Sequence, residues 1–216
     1  MGRDQHAQWI ERTGLIAIVR LDSSAELVQV AKAIAAGGVT VIEFTMTTPG
    51  ALRTIEESAK ELGSEVLIGA GTVLDAETAR AAILAGAEFV VAPTLSIDVV
   101  EMCHRYDKLV IPGAYTPTEI LTAWEHGADF VKVFPAEIGG PAYLKAVRAP
   151  LPQVKLIPVG GVSLETAQAF IRAGAVALGV GSNLVDKKAV AQGRFDQLTA
   201  AALALSKVVQ EARRGD

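Results

Sequence analysis

The stretch Phe130-Val131-Lys132-Val133-Phe134, followed at once by Pro135-Ala136-Glu137, is a short β-rich run ended by proline. Such a run reads as a parallel strand buried on two faces, because helices cover both sides of a parallel sheet. Similar β-branched runs recur at Leu15 to Val19, Val39 to Thr45, Val66 to Gly69, Phe89 to Ala92, Leu109 to Ile111, Lys155 to Val159 and Ala177 to Val180. Alanine-rich helical segments separate them. Ser23 with Glu26 and Thr116 with Glu119 form capping-box pairs, and Pro117 and Pro49 follow threonines as first helical residues do. Helix-ending glycines at Gly37-Gly38, Gly63, Gly86, Gly127 and Gly174 precede many of the strands. Eight strand–helix units with no linker predict an α/β fold, a closed (β/α)8 barrel, since closure removes both sheet edges. A doubly wound open sheet is the alternative. Asp4 to Thr13 adds an expected helix before the first strand, and Arg194 to Ala212 reads as the last outer helix.

The composition bounds the function. With 216 residues, 50% hydrophobic and 20% charged, the chain is expected to form one domain over residues 1–216. A net charge of -4 and no run of Lys or Arg longer than two argue against nucleic acid as a partner. The apolar stretches, such as Ala173 to Val180, fall far short of the roughly 20 residues needed to span a bilayer. Cys103 is a lone cysteine, and Met1 to Trp9 lacks the apolar centre of a signal peptide, so the cytoplasm is the expected compartment.

Lys132 is out of place in its apolar strand. Burial disfavours an ammonium and lowers its pKa, and a neutral amine attacks carbonyl carbon. Lys132 is therefore either a Schiff-base lysine or a structural cation, paired or reaching solvent past the strand end. Glu43, in Val39-Thr40-Val41-Ile42-Glu43-Phe44-Thr45, is the second anomaly. Period-two alternation puts it on one face with Val41 and Thr45, pointing into the barrel mouth where Lys132 could also project. It reads as a general acid/base beside the amine, or as the counter-ion of that amine.

Catalytic groups in barrels come from the carboxyl ends of strands and the loops after them. Arg20 ends the first strand and Thr72 the third, both placed to meet a small anion; alone, each is equally a loop-supporting residue. Arginine suits bidentate contact with a carboxylate. After the last two strands come Gly160-Gly161-Val162-Ser163 and Gly179-Val180-Gly181-Ser182-Asn183, each leading into an apparent helix start. Glycines let backbone N–H groups approach an anion, and two such loops after strands seven and eight are the phosphate signature of this fold. His6, His104 and His126 lie in or near helices, are expected on the outer or lower surface, and lack the spacing of zinc ligands, so no metal is expected. No nucleophile elbow, Walker loop or dinucleotide fingerprint occurs, so no cofactor is expected either. A lysine-dependent carbon–carbon lyase fits these residues; a phosphosugar isomerase or epimerase, and a non-catalytic phosphate-binding barrel, are the rival classes.

Ile16 to Arg20, Gly37-Gly38-Val39 through Ile42-Glu43 to Thr45, Gly69-Ala70-Gly71-Thr72-Val73, Pro112-Gly113, Lys132 through Phe134-Pro135-Ala136-Glu137, and Gly160-Gly161-Val162 occur in that order. With these marks the chain resembles the 2-keto-3-deoxy-6-phosphogluconate (KDPG) aldolases, Schiff-base enzymes with a (β/α)8 fold, and the resemblance covers nearly the whole length. It implies Lys132 as the Schiff-base lysine and Glu43 as the acid/base. It implies Thr72, Pro93 and Phe134 as lining of the substrate site, Gly160, Gly161 and Ser182, with Gly181 beside it, as phosphate ligands, and a homotrimer acting on a phosphorylated 2-keto acid without metal. Two positions depart from the family. Thr47 stands where some members hold the substrate carboxylate with arginine, a task that then falls to Arg20, and Val159 replaces a threonine before Gly160. The related 6-phosphogalactonate and 4-hydroxy-2-oxoglutarate (KHG) aldolases share the lysine and glutamate.

Overall fold

The computed structural model describes residues 2–23, 26–63 and 65–215. Its strands are β1 (Leu15–Val19), β2 (Val41–Thr45), β3 (Leu67–Gly71), β4 (Phe89–Val91), β5 (Leu109–Ile111), β6 (Gly113–Ala114), β7 (Val131–Val133), β8 (Leu156–Pro158) and β9 (Leu178–Val180). All paired neighbours run parallel, in the orders β5-β4-β3-β2-β1-β9 and β6-β7-β8. The two sheets join into one curled wall. A bridge from Val159 to Gly179 links β8 to β9, and β5 runs into β6 through Pro112. Proline has no N–H for the ladder, so Pro112 divides one barrel stave into two short strands. Counted by stave, the eight strands match the barrel expected from the sequence.

Helices alternate with the strands: α1 (Arg3–Thr13), α2 (Leu27–Ala36), α3 (Ala51–Leu62), α4 (Ala76–Leu84), α5 (Ile97–Arg105), α6 (Pro117–Glu125), α7 (Gly140–Arg148), α8 (Leu164–Arg172), α9 (Lys187–Ala191) and α10 (Phe195–Arg214). The capping box at α6 forms as expected, with Glu119 N–H donating to Thr116 Oγ1 at 3.3 Å and Thr116 N–H donating to Glu119 Oε2 at 2.8 Å. Two other expected starts move. α2 begins at Leu27 with Glu26 at its N-cap, while Ser23 Oγ donates to the Glu26 carboxylate at 3.1 Å ahead of the helix. α3 begins at Ala51, because Gly50 at φ +76° turns the chain first and leaves Pro49 in that turn. The sequence reading missed the single-turn helix α9, whose five residues are too few to show a period. Met1 and Asp216, the ends of the expected domain, lie outside the described residues.

Alternation along the strands sorts the core into two shells. Ala17, Val19, Ile42, Phe44, Ile68 and Ala70 face outward into the layer shared with the helices. Ile16, Val41, Leu67, Phe89, Leu109, Phe130 and Ile157 face inward and pack together with Trp9 and Ile10 of α1. α1 thus plugs the amino-terminal end of the barrel, and Trp9 Nε1–H donates to Thr40 Oγ1 at 2.9 Å. His6 of α1, expected on the surface, is buried, 3.6 Å from Glu88, and burial holds its pKa below the usual histidine value. With one end closed, the barrel opens only where the strands finish.

The inner shell leaves no room at Gly69, where an added Cβ would stand 2.5 Å from carbons of the Phe89 ring. Gly69→Ala is expected to lower stability by about 1–3 kcal/mol, the usual cost of overpacking a filled core. Thermal or urea denaturation of the variant measures this, and an unchanged midpoint would contradict the packing described.

Candidate active site

The open end of the barrel holds a cavity of about 710 Å³. Its floor is the inward face of the strands, and its rim is the set of loops that follow them. Arg20 after β1, Glu43 on β2, Thr72 after β3, Pro93 after β4, Lys132 on β7 and Phe134 just beyond it all line it. Gly160, Gly161, Gly181 and Ser182, from the loops after β8 and β9, complete the far wall. Of the residues expected at the site, only Thr47 does not line it. Its side chain is exposed and its hydroxyl lies 3.1 Å from that of Thr45, because the chain turns away from the mouth directly after β2.

Lys132 and Glu43 are 6% and 2% exposed, so both ionisable groups are almost wholly removed from water. Burial is the main influence on each. It pushes the Lys132 amine below its ordinary value, with Glu43 pulling the other way and Arg20 reinforcing the shift. It pushes the Glu43 carboxyl above its ordinary value, against the opposing pull of Lys132 and Arg20. The pair is thereby driven toward a neutral amine next to a carboxyl that can hold a proton. Among the described residues Glu43 accepts no hydrogen bond and makes no ion-pair contact with Lys132. Among the described residues the one wholly buried side-chain oxygen or nitrogen left without a partner is Ser58 Oγ, so the Glu43 oxygens look into the cavity. Lys132 Nζ lies 5.0 Å from the centre of the Phe134 ring, which stands 38% exposed at the rim.

Arg20 Nη2 donates to Thr72 Oγ1 at 3.2 Å, which links the ends of β1 and β3 across the intervening β2. Thr72 has φ +58°, a conformation costly for a β-branched residue and one that clusters at binding sites. The guanidinium so held sits on the same cavity as the amine.

The two glycine loops are tied to each other, because Asn183 Nδ2–H donates to the carbonyl of Val162 at 2.7 Å. Gly160 and Gly161 adopt φ +98° and +69°, and a Cβ at Gly161 would stand 2.6 Å from Glu137 Cβ. Neither position accepts a side chain without strain, and both line the cavity. Glu137, Asn183, Lys187 and Lys188 also line the cavity and were not singled out in the sequence. Asn183 could have been read from its place beside Ser182; the two lysines follow Asp186 in a run that looks like ordinary solvated surface.

A parallel barrel with a dehydrated amine and a dehydrated carboxyl opening on one mouth, shared with a pair of glycine loops, is equipped for lysine-dependent cleavage of a carbon–carbon bond. The chain belongs to the KDPG and KHG aldolase family, whose model matches residues 7–201. It is 38% identical over 192 residues to a 2-dehydro-3-deoxy-phosphogluconate aldolase of Treponema pallidum, covering 88% of this chain and 91% of that one. It is 35% identical over 178 residues to a 2-dehydro-3-deoxy-6-phosphogalactonate aldolase of Escherichia coli, covering 82% and 87%. Among solved structures it is similar to the KDPG aldolase of Legionella pneumophila with pyruvate captured as a covalent carbinolamine. That similarity has a TM-score of 0.86 at 27% identity, over 92% of this chain and 97% of that one.

The shifts at the centre have a testable sign. The Glu43 charge raises the Lys132 pKa, so Glu43→Gln is expected to lower it further below 10.5 and to enlarge the neutral fraction at any given pH. Titration of the Lys132 resonance after isotopic dimethylation of the lysines measures it in both proteins. A rise in the variant would contradict the arrangement described.

Proposed function

We propose that this chain cleaves 2-keto-3-deoxy-6-phosphogluconate to pyruvate and glyceraldehyde 3-phosphate as a class I aldolase. The observation that carries the reading is the buried Lys132 amine and the buried Glu43 carboxyl facing one cavity with no ion pair between them. An inert charge pair would close that distance, since two dehydrated charges gain most from contact. Two groups held apart and pushed toward neutrality leave room for a carbonyl carbon between a nucleophile and a proton donor.

Neutral Lys132 attacks the C2 ketone, and protons pass through Glu43 as the carbinolamine loses water to give an iminium. That cation is the electron sink, so the reaction requires no metal ion. Glu43 then takes the C4 hydroxyl proton, directly or through water, and the electrons of the C3–C4 bond flow into the iminium. Glyceraldehyde 3-phosphate departs as the aldehyde. The enamine left on Lys132 is protonated at C3, and water releases pyruvate and the free amine. Arg20, held by Thr72, receives the substrate carboxylate, while Pro93 and Phe134 wall the pyruvate half. Backbone N–H groups at Gly160, Gly161 and Gly181, with the Ser182 hydroxyl, receive the 6-phosphate. The same residues would serve the 4-epimer, so the galactonate-derived acid is the nearest alternative substrate. We further propose one domain over residues 1–216, assembly as a homotrimer and action in the cytoplasm. The trimer rests on the family; for location, no helix among the described residues is long and apolar enough to cross a membrane.

Pyruvate release from the gluconate-derived acid, its 4-epimer and 4-hydroxy-2-oxoglutarate, followed with a coupled dehydrogenase, tests the assignment. Turnover is expected to be most efficient on the first, far lower on the unphosphorylated acid, and insensitive to EDTA. Glu43→Gln should lower kcat by about 10²–10⁴, the usual contribution of a positioned proton-transfer group. No pyruvate from any of the three would retire the reading, and near-wild-type kcat in Glu43→Gln would retire the role of Glu43.

A further inference from the structure

β3 carries two inward-facing glycines, and a different kind of group fills the space beside each. At Gly69 the neighbour is the rigid Phe89 ring of the core. At Gly71 the three atoms nearest to an added Cβ all belong to Glu43: Oε1, in outright overlap, then Cδ at 2.7 Å and Cγ at 3.3 Å. The backbone at Gly71 is ordinary strand, without the positive φ that would demand glycine, and its carbonyl accepts from Met46 N–H at 2.8 Å. Conformational freedom therefore does not explain the residue. The Glu43 side chain passes over its Cα and occupies the volume a methyl group would take.

Glu43 has few other restraints at its tip. Among the described residues its carboxyl accepts no hydrogen bond, and Lys132 and Arg20 act on it only through charge. Its position is set by shape, between the main chain of β3 and the cavity. We propose that Gly71 is a positioning residue for Glu43: its missing side chain is the seat that holds the carboxyl within reach of the atoms bonded to Lys132. The proposal rests on Glu43 being the acid/base. Proton transfer needs heavy atoms about 2.6–3.2 Å apart, or one water between them. A methyl at Gly71 would push the flexible end of Glu43 off that seat and leave the barrel core untouched.

The test compares wild type, Gly71→Ala, Glu43→Ala and the double variant, reading melting temperature, kcat, KM and the yield of borohydride-trapped pyruvate. For Gly71→Ala the expected result is kcat lowered by about tenfold or more, with KM within about threefold, in the pattern of a lost transition-state interaction. Trapping at Lys132 and the melting temperature should persist, in contrast to Gly69→Ala. In the Glu43→Ala background the added methyl should change residual kcat by no more than about twofold, because the group it displaces is gone. Wild-type kcat in Gly71→Ala, an equal loss in both backgrounds, or a collapse of the melting temperature would each overturn the proposal. A wild-type protein that neither cleaves the keto acid nor traps pyruvate would overturn the aldolase reading and this proposal with it.

Discussion

Dehydration of two ionisable side chains at the mouth of a closed barrel is the constraint on which the rest depends. The barrel wall is parallel strand covered by helices, its lower end is plugged by Trp9 and Ile10, and its interior is filled up to Phe89 and Phe130. Lys132 and Glu43 stand on inward-facing positions above that filling. Water reaches them only from the cavity, so desolvation moves the amine down and the carboxyl up. In open solvent at neutral pH the same two groups would be a protonated amine and an ionised carboxylate, neither in the form that begins imine chemistry.

The rest of the cavity is built around that pair from loops that follow other staves. Arg20 and Thr72 follow the two strands that flank β2 and steady each other, while the glycine loops follow β8 and β9 and are linked through Asn183 and Val162. A substrate carboxylate and phosphate gripped at the two ends would lay the intervening carbons across Lys132. Such placement converts an encounter into an oriented reaction.

Much of this was legible in the chain because the signals are local. β1 and β5 have the bounds their apolar runs predict, and the box at Thr116 and Glu119 marks its helix start. The inward direction of Glu43 followed from period-two alternation, and Lys132 stood out as a charge in an apolar strand. What escaped depends on groups distant in sequence or on backbone geometry. The start of α3 slipped because Gly50, not Pro49, makes the turn. Thr47 was expected near the site only through the family resemblance, but the chain leaves the barrel after β2 and carries it into solvent. Lys187 and Lys188 line the cavity from the start of α9, a helix too short to read in the sequence, and Gly71 shows its purpose only when Glu43 is seen against it.

The central claim is that the Lys132 amine is the nucleophile, and the most direct measurement is mass mapping of the protein after borohydride reduction in the presence of pyruvate. A single reduced-pyruvate adduct on the peptide containing Lys132, absent from Lys132→Ala, is the result this account predicts. An adduct on a different lysine, or none under conditions where the protein releases pyruvate from its substrate, would contradict it.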